Sequence, residues 1–88
     1  MNTILCNFNL FDLKQTILML SEESNSYMPI GQSETQDLGS TIALLCDTYK
    51  VNKVRLIGHR SYAENIKKDI LLFSKMTYNN NDVEVEIN

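Results

Sequence analysis

The chain has 88 residues, 43% of them hydrophobic and 22% charged, with a formal net charge of −3; that composition suits one soluble globular domain and leaves no length for a second. No apolar run approaches the roughly 20 residues of a membrane-spanning helix, and no basic region followed by an apolar core marks a signal peptide. Two cysteines, Cys6 and Cys46, are too few for a disulfide framework, so both are expected as buried thiols in a reducing, cytoplasmic setting.

Taken in order, residues 3–9 alternate Ile4, Cys6 and Phe8 against Leu5, Asn7 and Asn9, and residues 15–20 alternate Ile17 and Met19 against Thr16, Leu18 and Leu20. Both are strand patterns. The short segment Leu10-Phe11-Asp12-Leu13 between them predicts a hairpin connection. After the polar turn of residues 21–26, residues 27–32 read as a third strand. Pro29 cannot donate to a ladder, which assigns that strand to an edge or makes it irregular.

Ser33 and Gln36 have capping-box spacing, and a helix is predicted over residues 35–49 with Leu38, Ile42, Leu45, Cys46 and Tyr49 on its apolar face. Gly39 inside it costs about 1 kcal/mol relative to alanine. That points to a close approach to the sheet or a frayed first turn. Val51, Val54, Leu56 and Ile57 form an apolar, β-branched run, expected as a central strand buried on both faces. Ser61 and Glu64 repeat the capping-box spacing, so a second helix is predicted from Ser61 with Tyr62, Ala63, Ile66, Ile70 and Phe73 inward. Glu64, Lys67, Lys68, Leu71 and Lys75 then face outward. Residues 79–82 signal a turn, and Val83, Val85 and Ile87 alternate with Glu84 and Glu86 as a last, half-buried strand.

The expected fold is therefore α/β with a mixed sheet: β-β-β-α-β-α-β, two helices on five strands, in one domain covering residues 1–88. Three antiparallel strands followed by helix, strand, helix, strand resemble the ribonuclease H-like fold, shared with the halves of actin-like ATPases. The resemblance spans the whole chain and rests on element order alone. In nucleases of that kind it implies a carboxylate cluster holding two metal ions. Here the first strand offers Asn7 and Asn9, the fourth ends in Gly58-His59, and only Glu34 or Asp37 would stand on the first helix. Neutral side chains cannot balance paired divalent cations. No catalytic residues, metal site or cofactor are assigned, and the chain is expected not to be an enzyme.

Charge is unevenly distributed. Residues 50–68 hold Lys50, Lys53, Arg55, Arg60, Lys67 and Lys68 against Glu64 alone, while the flanking segments are acidic. A basic zone of this kind either attracts phosphates or an acidic partner, or merely complements the acidic segments beside it. The turn Gly58-His59-Arg60-Ser61, at the end of a strand and the start of a helix, is the candidate anion site, with Arg55, Lys67 and Lys68 as neighbouring cations. A nucleotide, a nucleic acid or another phosphate would be its ligand. His59, the one histidine, lacks a triad constellation. Leu71 and Tyr78 near the outer face of the second helix, with Phe11 in the hairpin turn, are candidate contact residues. The leading expectation is a small interaction module, forming a homo-oligomer or binding a protein partner. The asparagine-rich, tryptophan-free composition resembles that of small bacteriophage proteins, which would place it in a host cytoplasm, acting on a host factor.

Overall fold

The computed structural model describes residues 2–8, 15–22 and 26–88. They form β1 (Thr3–Asn7), β2 (Gln15–Ser21), β3 (Tyr27–Glu34), a single 3-10 turn (Thr35–Asp37), α1 (Leu38–Tyr49), β4 (Lys53–Ile57), α2 (Arg60–Tyr78) and β5 (Glu84–Ile87). The order of elements is the expected one, and the five strands make a single mixed sheet in the order β3-β2-β1-β4-β5. β2 pairs antiparallel with both β1 and β3, whereas β1–β4 and β4–β5 are parallel.

Two crossovers set the architecture. The chain passes from β3 through α1 to β4, then from β4 through α2 to β5, moving the same way across the sheet each time. Right-handed connections therefore put both helices on one face. The core agrees: Ile4, Cys6, Leu18, Leu20, Val54 and Leu56 of the sheet share one buried cluster with Leu38, Ile42, Leu45 and Cys46 of α1 and Ala63, Ile66 and Ile70 of α2. Thr3, Leu5 and Asn7, which alternate with Ile4 and Cys6, point to the other face and are half-buried. Among the described residues no helix or strand covers that face.

Several local expectations change as a result. β4 is buried on one side only, since Lys53 and Arg55 alternate with Val54 and Leu56 and are exposed. The middle strand is β1, not β4. β3 is an edge strand as expected, with a register shift opposite Leu18/Met19 that sets Pro29 across from Met19 and Gly31 across from Leu18. The connection of residues 9–14, which includes Phe11, lies outside the described residues.

Neither capping box forms. Ser33 is buried in β3, where its hydroxyl donates to the Glu34 carbonyl and accepts from Thr41 Oγ1 at 3.0 Å. α1 begins instead at Leu38, after the 3-10 turn. The second helix starts at Arg60, with His59 as N-cap, so Ser61 is already inside it and bonds the His59 ring at Nδ1, 2.9 Å away. Its carboxylate partner by spacing, Glu64, pairs with Arg60. Both helices end in residues at positive φ, Lys50 at 56° and Asn79 at 52°. Each donates its backbone N–H into the last turn, to the carbonyls of Cys46 and Ser74. Asparagine tolerates that left-handed position; lysine holds it at some cost in strain.

Two glycines are demanded by close contact. A β-carbon on Gly58, whose φ is 156°, would overlap the ring of Phe8, which lies across the end of β4. One on Gly39 would overlap Cβ of Asp69 on α2, with Asp69 Cα and C only 3.3 Å away. Gly39 thus permits helix to approach helix; the neighbour is α2 rather than the sheet.

Candidate functional site

α2 is rotated from its expected orientation. Its buried residues are Ala63, Ile66, Ile70 and Ser74, a stripe reaching about 40° on either side of Ile70 at 100° per residue. Tyr62 and Phe73, expected inward, are 61% and 41% exposed, while Leu71 is 38% exposed and Tyr78 half-buried. The cause is α1: with Gly39 set against Asp69, α2 uses one flank for its neighbour and only a narrow stripe for the sheet. Leu72 and Met76, at 54% and 75%, are more exposed than Leu71. Ser74 is the cost of that rotation, a hydroxyl buried in the stripe without a hydrogen-bond partner among the described residues.

The candidate anion residues are not brought together. Arg55 projects from β4 on the uncovered face, where its guanidinium meets Glu86 at 3.4 Å. Lys67 and Lys68 sit on α2, with the sheet between them and Arg55. At the turn, Arg60 reaches along the helix to Glu64 at 4.0 Å, and the Ser61 hydroxyl is engaged by His59. Lys50 pairs with Asp47 at 3.6 Å. Three of the six cations in the basic window thus stand beside carboxylates. Exposed pairs of this kind contribute little stability, but they leave a dispersed surface rather than a phosphate groove. Tyr62 and Arg60 lie about 200° apart around the helix, so they do not share a stacking face.

Two shallow clefts of about 330 and 290 Å³ open at the opposite end of β4, sharing Lys50 and Asn52. Neither includes any residue of the Gly58-His59-Arg60-Ser61 turn. Among the described residues no group of three or more His, Cys, Asp or Glu side chains is placed to hold a metal ion, and no helix is long and apolar enough to cross a membrane.

Cys6 and Cys46 are buried and in no disulfide. Loss of hydration raises the Cys6 thiol from the ordinary 9.0 to about 12 and the Cys46 thiol to about 11, so both stay protonated and unreactive in the folded chain. The sign of the linkage follows. Below pH 9 the stability due to neutral thiols is fully present; above it the unfolded chain releases protons that the folded chain retains, and stability falls as pH rises towards 11 and 12. Each thiol contributes a slope of up to about 1.36 kcal/mol per pH unit. Urea midpoints measured between pH 8 and 10.5 are expected to fall less steeply in a Cys6→Val, Cys46→Ala variant than in the parent. Equal slopes would show that the thiols are not the source.

What the sheet leaves uncovered is the strongest chemical feature of the molecule. Its bare face carries Leu5 on β1, Ile17 and Met19 on β2 and Ile57 on β4, with Tyr27 and Pro29 at the β3 edge. Ile17 and Tyr27 are 58% and 57% exposed. Alternation in β1 and β2 was legible, but apolar residues occur in both phases, so the pattern alone did not say which phase would be left in water. Comparison with known proteins gives no match to a family model and none to a curated protein.

Proposed function

We propose that the chain is a small, non-enzymatic protein-interaction module that associates with itself. One observation carries this: a five-stranded sheet packed against helices on a single face, with an apolar row on the other. A sheet can leave one face in water when that face is polar, as antiparallel sheets commonly do; the centre of this mixed sheet's open face is leucine, methionine and isoleucine. Contiguous apolar surface on a small protein marks a contact site. Covering it with another copy also enlarges a core that 88 residues keep small.

Sedimentation velocity over a range of concentrations tests the reading. A species of twice the 10.1 kDa chain mass is expected to dominate at micromolar concentration, since interfaces of standard size give micromolar or tighter affinity. A species of single chain mass persisting to on the order of 100 μM would refute it.

A further inference from the structure

We infer that the uncovered face of the sheet is the self-association surface, and that it takes a second copy of the chain about a two-fold axis running along the strands. This rests on the self-association reading and specifies its geometry.

The register of the sheet lays out the face in rows. One row runs Tyr27, Ser21, Thr3, Lys53, Glu84; the next runs Pro29, Met19, Leu5, Arg55, Glu86; the third places Asn7 beside Ile57, with Ile17 facing Gln32. In these rows every charge lies on β4 and β5, and the two basic and two acidic groups cancel. The β2 and β3 residues of these three rows are uncharged; Glu34, opposite Gln15, lies one row further on at the end of β3.

That asymmetry selects the symmetry axis. An axis across the strands would lay Arg55 on its own copy and Glu86 on its own copy, and like charges apposed in an interface cost several kcal/mol. An axis along the strands through β1 instead lays the charged β4 and β5 residues of these rows over the partner's uncharged β2 and β3 residues of the same rows, with Glu34 beyond them. Leu5 then meets its copy at the centre, Ile17 comes over the partner's Ile57, and Met19 comes over the aliphatic stem of the partner's Arg55. Tyr27 is brought towards the partner's Glu84, a hydroxyl donor facing a carboxylate. The packing is that of two aligned sheets about 10 Å apart.

Size agrees. The molecule is a slab of 33 × 30 × 20 Å, and a standard interface removes about 800 Å² per partner, close to one-seventh of its 5797 Å² surface. The other surfaces suit a second copy less well. β5 would bring Glu84 and Glu86 against their copies in antiparallel edge pairing. β3 carries Pro29 and a register shift, both of which blunt an edge. An antiparallel α2 pair centred on Leu72 would set Lys75 beside the partner's Lys68 on the same flank.

The test uses Ile17→Lys, at a side chain exposed in the single chain and so dispensable for folding, beside Met76→Lys on the helix surface. Circular dichroism checks that both fold. Ile17→Lys is expected to raise the dimer Kd on the order of 100-fold, because each interface would bury two unpaired ammonium groups, while Met76→Lys leaves it unchanged. Leu5→Cys should couple to its own copy through a short bis-maleimide, the two native thiols being buried, whereas Leu72→Cys should not. A parent chain that is monomeric throughout would refute self-association itself. A parent dimer that resists Ile17→Lys but is dissociated by Met76→Lys, or coupled through Leu72→Cys, would overturn the face assignment and leave self-association standing.

Discussion

Replacing Gly39 by alanine is expected to lower stability by about 1–3 kcal/mol, although alanine is the better helix former by about 1 kcal/mol. The sign is the point. The new methyl would overlap Cβ of Asp69, an atom fixed to the α2 backbone, with Asp69 Cα and C at 3.3 Å behind it. No rotamer change relieves that contact, so the helices must separate and the shared core beneath them loosens. In a domain of this size each 1 kcal/mol displaces the melting temperature by about 4–8 °C. Removing the opposing β-carbon should recover part of the loss: in a double-mutant cycle, Gly39→Ala and Asp69→Gly are expected to couple favourably. A melting temperature unchanged or raised by Gly39→Ala alone would mean that the helices are not in contact there.

Truncating Ile70 to alanine is expected to cost about 2–5 kcal/mol, the largest effect foreseen for a single side chain of α2. Ile70 is fully buried in the cluster joining both helices to the sheet. For 88 residues the total stability is on the order of 4–13 kcal/mol, so this one change removes a large fraction of it. Two residues along the same helix, Leu72→Ala should alter stability by no more than about 0.5 kcal/mol, because Leu72 is 54% exposed. Urea denaturation of the two variants checks the rotation of α2 directly. Comparable losses at both positions would place Leu72 in the core and contradict the orientation described above.

The surface consequences of that rotation are equally concrete. Phe73 and Tyr62 were expected inward because they fall within about 80° of Ile70 on a helical wheel. A wheel assumes that a helix has one buried direction. α2 has two, the sheet below and α1 beside it, and the contact at Gly39 turns the helix so that Phe73 and Tyr62 are partly left in water. Ser61 and Ser33 failed as caps for a related reason. Spacing shows that a hydroxyl and a carboxylate or amide could meet, but Ser33 is held in β3 by Thr41 and Ser61 already lies within a helix that begins at Arg60.

The basic window separates in the same manner. Lys50, Arg55 and Arg60 are near neighbours in sequence, yet they stand respectively at the end of α1, on the bare face of the sheet and at the start of α2. Each is beside a carboxylate. A charge run crossing a helix end, a strand and a helix start is dispersed by the folding of those elements. Linear density of lysine and arginine therefore does not by itself bring those cations to one surface beside Gly58-His59-Arg60-Ser61.

The sequence by itself determined the kinds and order of elements, the edge character of the proline-bearing β3, and the buried thiols of Cys6 and Cys46. These depend on periodicity, on the missing N–H of proline and on the transfer of small apolar groups from water, all of which act within a few residues. Only the tertiary structure decided that β1 rather than β4 is the middle strand, that Gly39 admits α2, and that Leu5, Ile17, Met19 and Ile57 lie on a face that no described helix or strand covers. Those outcomes depend on the handedness of two crossovers and on contacts between residues some thirty positions apart. An apolar residue in a strand reads the same whether its face is covered by a helix or left for a second chain.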